Sequence, residues 1–233
     1  MTRQEYIEKI FETYQLVTVL ADKNNCRTLR LRHKELKKDL VLHSFPRSFG
    51  IYESLCEIVS PNLPEVYDAI TLDDGQLILE EFVDGATVAE IMEGGKIRLR
   101  GAKKILSEVC NALSVIHSQG FVHRDVKPEN IIVSKTGRVV LIDFNASRKI
   151  TNARQDTEIL GTVGYASPEQ LGVSHTDERT DIYAAGVLLN VMVTGKHPSE
   201  TLPKGRVGRI IRKCTNVNPN DRYQTAQQLS KAL

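Results

Sequence analysis

The chain has 233 residues, 41% of them hydrophobic, and its 31 Lys and Arg against 29 Asp and Glu give a formal net charge of +2. Such a chain can bury a substantial core, has too little Pro and Gly for a disordered protein, and lacks the strongly basic balance of a nucleic-acid-binding domain. We therefore expect one large domain or two small lobes, and no nucleic acid among its partners.

Cysteine usage and the apolar segments predict a cytoplasmic protein without a membrane span. The four cysteines are scattered and form no CxxC pair: Cys26, Cys56, Cys110 and Cys214. This spacing favours a reducing compartment. The first fifteen residues are charged and amphipathic and lack the apolar core of a signal peptide. The most apolar segment, residues 184–193, is about half as long as a membrane span of roughly 20 residues, so we expect a core helix.

The first 80 or so residues have the pattern of a β-rich lobe. Three short runs of β-type residues are separated by polar turns, as in hairpins, and cover residues 14–20, 27–33 and 39–45. The segment IYESLCEIV predicts a short helix, on which Glu53 and Glu57 would share a face. These two glutamates either are solvated charges or have a role opposite His43, and the two alternatives carry about equal weight.

The remainder has the pattern of a helical lobe. Apolar residues at helical spacing predict one long helix that ends near Gly120: Ile105, Val109, Ala112, Leu113 and Ile116. A hairpin, NIIVSKTGRVVLIDF, an apolar helix from Asp181 and a C-terminal amphipathic helix follow. The pattern predicts an α+β fold, with a β-rich lobe over about 1–83 and a helical lobe over about 84–233.

The stretch HRDVKPEN places a concentrated set of polar side chains immediately before a short buried strand, IIV. Charge at such a place is costly unless it is paired or used. Phosphoryl transfer needs a carboxylate to orient the attacking hydroxyl, oxygen ligands for Mg²⁺ and a cation for the developing charge. These residue types are present on two loops that a hairpin joins: Asp125, Lys127, Asn130 and Asp143.

Five motifs in order resemble those of the eukaryotic-type protein kinases and, more narrowly, of their bacterial serine/threonine members. HRDVKPEN resembles the catalytic loop, DFN stands where the family has DFG, and GTVGYASPE resembles the segment that ends in APE. DERTDIYAAGVLL resembles the helix whose Asp, here Asp181, braces the catalytic loop, and NPNDRYQTA resembles the final subdomain. The resemblance implies a bilobal kinase fold, as a single domain over residues 1–233.

The resemblance also implies roles for the matching residues. Asp125 would be the catalytic base, and Lys127 would contact the transferred phosphate. Asn130 and Asp143 would ligate Mg²⁺, whereas His123 would be a packing residue.

The resemblance implies further roles for residues of the activation segment, which ends with GTVGYASPE, and for residues that would contact this segment. Arg124 would meet a phosphorylated residue, because Arg suits bidentate phosphate recognition. Thr157 is the best acceptor in that segment, with an ordinary exposed threonine as an equally weighted alternative. Thr162 would lie beside the peptide site, and Glu169 would form a buried ion pair with Arg222.

The N-terminal lobe departs from the family where ATP phosphates would be held. The three glycines of the glycine-rich loop align with Ala21, Lys23 and Cys26, so this backbone cannot approach phosphate in the usual manner. His43 stands where the family has a lysine, and an imidazole is only partly charged near neutral pH. The missing cation could come from another basic residue, as in the with-no-lysine kinases, and each candidate is otherwise part of a solvated strand face: Lys23, Arg27, Arg30 or Arg32.

The resemblance implies a set of ATP contacts: Leu20, Lys23, His43, Glu81, Val83 and Asp143. Glu80 stands at the gatekeeper position, where a charge could narrow the adenine pocket or change nucleotide preference. Asn145 replaces the glycine of DFG, and Asn tolerates a positive φ better than most residues.

Two functions are consistent with this pattern. The first is a slow serine/threonine kinase that uses ATP and Mg²⁺ on a protein substrate, with autophosphorylation as one expected reaction. The alternative is a pseudokinase that acts as a nucleotide-binding or protein-binding scaffold. The complete catalytic set favours the active kinase. A small-molecule phosphotransferase fits less well, because such enzymes lack the segment from GTVGYASPE to Arg222. A nucleic-acid role also has little support, because the basic run Lys204–Lys213 predicts a solvated amphipathic helix.

Overall fold

The computed structural model describes residues 2–150, 162, 164–171 and 176–233. The chain divides into two compact units, Met1–Ser60 with Pro64–Val83, and Pro61–Leu63 with Asp84–Leu233. The first unit is rich in strands and the second is mainly helical. The predicted α+β fold class is therefore confirmed.

The first unit is built on a five-stranded antiparallel sheet with the strand order β1-β2-β3-β5-β4. Its strands are β1 (Tyr14–Lys23), β2 (Cys26–His33), β3 (Asp39–Phe45), β4 (Val66–Leu72) and β5 (Gly75–Glu81). The three strands predicted before residue 46 are confirmed, although β1 extends to Lys23. The extension follows from the tight turn at Asn24 and Asn25, whose φ angles of 52° and 61° suit asparagine in a two-residue hairpin loop.

The two faces of this sheet differ in chemistry, because successive side chains of a strand point to opposite faces. One face packs its leucines against Ile7 and Ile10 of α1 (Arg3–Thr13), a helix that begins with a capping box at Thr2. The leucines of this core are Leu29, Leu31, Leu40, Leu42 and Leu77. The strand register puts polar residues on the opposite face, among them Thr28, Arg30, His43 and Glu80.

The helix α2 (Ile51–Leu55) is shorter than the sequence predicted. After Leu55 the chain turns, with the amide of Ile58 donating to the carbonyl of Leu55. Two β-branched residues and a proline, residues 58–61, do not favour continuing a helix here. Glu57 therefore lies outside the helix, and the prediction that it shares a helical face with Glu53 is wrong.

The second unit contains five helices among its described residues: α3 (Val88–Glu93), α4 (Leu99–Ser118), α5 (Glu178–Thr194), α6 (Gly205–Cys214) and α7 (Ala226–Ala232). The apolar face predicted for α4 is buried throughout, and the helix ends two residues before Gly120, which has a left-handed φ of 75°. Most of α5 is buried, as predicted for a core helix. No helix in the described part of the chain is both long and apolar enough to cross a membrane.

Short strands hold the loops of the second unit. The strands β6 (Gly85–Thr87), β8 (Ile131–Ser134) and β9 (Val139–Leu141) form one small sheet, and β7 (Phe121–Val122) pairs with β10 (Arg148–Lys149). The predicted hairpin is thus present as β8 and β9. The apolar residues of α6, Val207, Ile210 and Ile211, are buried, which confirms the amphipathic helix predicted for the basic run.

Candidate active site

The HRDVKPEN loop is anchored by a buried carboxylate of α5. Asp181, fully buried, accepts the backbone N–H groups of His123 at 2.9 Å and Arg124 at 2.8 Å, and its other partner is the His117 ring at 2.8 Å. Burial alone would raise the pKa of Asp181, but the hydrogen bond from His117 and the surrounding charges lower it below the ordinary value. The anchor fixes Arg124 at a φ of 69°, which is uncommon for a residue with a side chain.

His123 lies in the core beneath the loop, as expected for a packing residue. The ring is fully buried, with its edge against Phe144 at a centroid distance of 5.3 Å. Burial lowers the pKa of His123, so the ring is neutral at pH 7. Its Nδ1 accepts from the Asp125 amide at 3.3 Å, which leaves Nε2–H to donate to the Ile142 carbonyl.

Asp125 is the centre of the polar network on this loop. Its Oδ1 accepts the Thr162 hydroxyl at 2.6 Å, and its Oδ2 accepts Lys127 Nζ at 2.6 Å and Asn130 Nδ2 at 2.9 Å. Lys127 Nζ also donates to the Thr162 hydroxyl at 2.8 Å. The structure therefore brings Lys127, Asn130 and Thr162 together around a single carboxylate.

The network keeps Asp125 ionised and leaves it room for one further partner. Burial would raise the pKa of Asp125, but hydrogen bonds from Lys127 and Thr162 outweigh burial and hold the pKa below its ordinary value. A carboxylate offers about four lone-pair sites, and the donors from Lys127, Asn130 and Thr162 occupy three of them. The arrangement can thus accept a hydrogen bond from an incoming hydroxyl.

Asn130 and Asp143 offer the oxygen ligands that Mg²⁺ prefers. The Nδ2 of Asn130 is committed to the carbonyl and the carboxylate of Asp125, each at 2.9 Å, which leaves the amide oxygen for a ligand. The Ile142 amide donates to the Asn130 carbonyl at 2.9 Å and so ties the end of β9 to the loop. An amide oxygen and a carboxylate fit a hard cation that keeps water and phosphate among its ligands.

The positive φ angle at the DFN motif lies two residues before the position that the sequence suggested. Among the described residues with positive φ is Asp143, at 65°, and Asn145 is not one of them. The Asn145 amide instead donates to Asp143 Oδ1 at 3.3 Å. A short polar side chain that accepts a hydrogen bond from the backbone N–H two residues later can tolerate the left-handed region. The positive φ angle is therefore found at Asp143 and not at Asn145.

The activation-segment residues are only partly described. Thr162 lies against Asp125, as given above. Thr157 lies outside the described residues. The Arg124 carbonyl accepts Gln170 Nε2 at 2.8 Å, and the role of Arg124 toward a phosphorylated residue stays a prediction.

Glu169 and Arg222 form a bidentate ion pair in the core. Arg222 Nη1 lies 2.6 Å from Glu169 Oε1, and Nη2 lies 2.9 Å from Oε2, with both side chains almost fully buried. Burial opposes ionisation of Glu169, but the hydrogen bond from Arg222 lowers its pKa below the ordinary value. Arg222 also donates to the carbonyls of Asn216 and Arg179, so its guanidinium joins three segments.

In the first unit, most of the basic residues considered as replacements for the family lysine already have partners. Arg30 and Arg32 both bind Asp39, and these hydrogen bonds, first from Arg32, lower the pKa of Asp39 to about 2. Arg27 forms an exposed ion pair with Asp22 at 3.2 Å. Lys23 ends β1 and is exposed, and it has no ion pair among the residues that the structure describes.

His43 has partners that the sequence reasoning missed. Its Nε2 lies 2.9 Å from Glu80 Oε1, and its Nδ1 lies 3.1 Å from the Thr28 hydroxyl. Glu53 instead accepts Gln76 Nε2 at 2.7 Å, so the carboxylate that contacts His43 comes from Glu80 of β5. The strand register indicates these partners, because Thr28 pairs directly with His43. Glu80 pairs with Val41, which lies on the same face of the sheet two residues before His43.

The other residues expected to contact ATP lie on strands of the first unit or just after its last strand. Leu20 is half exposed on β1, and Val83 is buried. Glu81 ends β5, and its amide donates to the Glu65 carbonyl at 2.8 Å. Their contacts with a nucleotide stay predictions.

Comparison with known proteins identifies a single family. Residues 25–233 match the family model of the protein kinase domain. The matched range includes the Asp125 network, the Glu169–Arg222 ion pair and His43, and it starts in the turn between β1 and β2.

Curated relatives are bacterial kinases. The chain is 32% identical over 202 residues to a probable serine/threonine-protein kinase of Clostridium perfringens, covering 76% of this chain and 30% of that protein. It is 29% identical over 231 residues to the serine/threonine-protein kinase PknB of Mycolicibacterium smegmatis, covering 87% and 35%. It is 32% identical over 204 residues to PknB of Mycobacterium leprae, covering 74% and 33%. The chain thus spans about a third of the length of these relatives.

Proposed function

This chain belongs to the protein kinase family, and from that premise we propose that it transfers the terminal phosphoryl group of ATP to a serine or threonine hydroxyl of a protein substrate. The relatives named as serine/threonine-protein kinases support the acceptor class. Lys127, two residues after Asp125, is the pattern of the serine/threonine type.

The observation that carries this proposal is the Asp125 network. Asp125 is ionised, fixed by three donors and able to accept one more hydrogen bond. It can therefore orient a substrate hydroxyl and take its proton as the oxygen attacks phosphorus. Lys127 Nζ lies 2.6 Å from Asp125 Oδ2, so its ammonium is positioned to offset the negative charge on the phosphoryl group during transfer.

Asn130 and Asp143 are the proposed ligands of Mg²⁺, through an amide oxygen and a carboxylate. When bound, the ion would neutralise charge on the phosphates and orient them. Thr162 holds Asp125 through its hydroxyl, and we propose that a peptide substrate passes close to this contact.

The reaction should be slow, because the first unit lacks the glycines and the lysine with which the family binds the phosphates of ATP. The loss of one preorganised electrostatic contact costs about 10²–10³ in rate. With ordinary kinase turnover of roughly 1–100 s⁻¹, the expected rate is on the order of 10⁻³ to 1 s⁻¹. Lys23 is the best candidate for a replacement cation, since Arg30 and Arg32 are held by Asp39 and Arg27 is paired with Asp22.

A pseudokinase scaffold is the second candidate. It is favoured by the engagement of both ring nitrogens of His43 within the sheet, which leaves the position of the family lysine without a free donor. Such a protein would bind nucleotide or a protein partner without transfer.

The deciding experiment is phosphorylation with radiolabelled ATP and Mg²⁺, with the chain itself and a generic Ser/Thr protein as acceptors. We expect label in the parent protein, none in Asp125→Asn and none when Mg²⁺ is chelated. Asp68→Asn removes an exposed aspartate of β4 and should label like the parent. No label in the parent, with folding verified by thermal unfolding, would establish the scaffold instead.

A further inference from the structure

Three side chains from neighbouring strands form a hydrogen-bonded row on the polar face of the sheet, and we call Thr28, His43 and Glu80 the His43 relay. The Thr28 hydroxyl lies 3.1 Å from His43 Nδ1, and Glu80 Oε1 lies 2.9 Å from His43 Nε2. The His43 side chain is 12% exposed and that of Glu80 is 7% exposed. The relay is therefore a built and largely dry element of the first unit.

The relay uses both ring nitrogens of His43. A lysine ammonium has three N–H donors and can hold a carboxylate while it still binds phosphate, whereas an imidazole has two nitrogens. The Thr28 hydroxyl can donate to Nδ1 when the ring is neutral and accept from it when the ring is protonated. In both states the relay stays complete, so His43 has no N–H left for a phosphate oxygen.

Glu80 is the costly member of the relay. Its Oε2 is buried without a hydrogen-bond partner among the described residues. A buried carboxylate with an unsatisfied oxygen is expensive unless an opposite charge lies beside it. The ionisable groups that face the imidazole include this carboxylate, from β5, and the Tyr52 phenol of α2, whose ring centroid lies 6.5 Å away.

Arg30, a cation on the same face of the sheet, is already bound by another carboxylate. The register puts Arg30 two strands away in the row that contains Glu80, but the Arg30 guanidinium is bound to Asp39. Among the described residues that contact Glu80, the compensating charge is therefore the proton of His43. A protonated ring makes the pair neutral, and a neutral ring leaves one negative charge.

We propose that His43 is a positioning residue that serves ATP binding indirectly, by cancelling the charge of Glu80. The inference rests on the proposed function, in which the phosphates of ATP lie near the place of the family lysine. When His43 releases its proton to solvent, the uncompensated carboxylate repels the polyanionic nucleotide. Mg·ATP then binds more weakly as the pH rises, with the phosphoryl-transfer step itself little changed.

The test is the dissociation constant of Mg·ATP across the ordinary titration range of an imidazole, from about pH 5.5 to about pH 8.5, measured by calorimetry on the full chain. For the parent we expect the constant to rise on the order of tenfold over this range, the effect of one nearby unit charge. Glu80→Gln keeps an acceptor for His43 Nε2 but removes the negative charge, so its affinity at about pH 8.5 should be as high as that of the parent at about pH 5.5. Glu53→Gln, which removes a carboxylate outside the relay, should behave like the parent.

The variants separate an indirect role from a direct one. If a protonated His43 itself bound phosphate, Glu80→Gln would bind Mg·ATP as weakly as the parent at about pH 8.5, which would overturn the proposal. His43→Gln should bind weakly at all pH values, and the double variant His43→Gln/Glu80→Gln should regain affinity. A double variant that stays weak would also overturn it, as would a flat parent profile.

Failure of the relay and failure of the proposed function are distinguishable, because binding needs no turnover. Asp125→Asn should lose transfer and keep the parent's pH dependence of binding. A parent that binds with the expected pH dependence but never transfers phosphate would contradict the proposed function and support the relay. In the active parent, the pH dependence should appear in KM and not in kcat.

Discussion

The polar residues of the two units are organised in opposite ways. In the second unit Lys127, Asn130 and Thr162 converge on Asp125 and leave it one site for a new partner. In the first unit Arg30 and Arg32 are bound by Asp39, and His43 is bound within its relay. The comparison teaches that a charged residue in the right place is not a functional group until its own partners are counted.

The largest expected effect concerns the fold that holds the intact site. Glu169→Ala leaves the Arg222 guanidinium buried without its carboxylate and should destabilise the protein by about 3–5 kcal/mol. Thermal or denaturant unfolding measures this loss directly. Glu200→Ala, at an exposed position, is the matched control and should change stability little. An unchanged melting temperature in Glu169→Ala would mean that the pair contributes nothing to the unit.

The next effect sharpens the contrast at the catalytic loop. Lys127→Ala removes a donor to Asp125 and a charge beside the transferred phosphate, and kcat should fall by about 10²–10³. Lys104→Ala, on the exposed side of α4, should leave kcat unchanged. An active Lys127→Ala enzyme would show that the second unit does not depend on this convergence.

The smallest effect tests whether the internal pairing of the first unit stabilises it. Arg32 and Arg30 lower the pKa of Asp39 from 3.8 to about 2, so Asp39 binds a proton less readily in the folded state than in the unfolded state. Its contribution to stability is therefore present above pH 4 and is lost as the pH falls towards 2. The contribution should be about 1 kcal/mol, since a pair near the surface is screened.

Chemical unfolding of the parent and of Asp39→Asn, followed between about pH 5 and about pH 2, measures that contribution. We expect the two proteins to differ at the upper end of the range and to converge at the lower end. A difference that is constant across the range would mean that the ionisation of Asp39 does not stabilise the sheet.

Strands with alternating chemistry were predictable because local pattern controls them. The sequence RTLRLRH alternates apolar and polar residues, and one face of β2 indeed packs on α1. The catalytic motifs were predictable for a similar reason, since the chemistry of phosphoryl transfer demands those residue types at short spacing. The C-terminal end of α2 was not, because its five residues are too few to carry a periodic signal.

What the sequence by itself determined is the family, the two kinds of unit and the identity of the groups around Asp125. What only the tertiary structure decided is which cationic side chains are already bound to carboxylates of the protein. Asp39 binds two arginines across a hairpin, and Glu80 reaches His43 from a strand 37 residues away in sequence. Such pairings depend on register and burial, because the energy of a charge is set by what surrounds it in space.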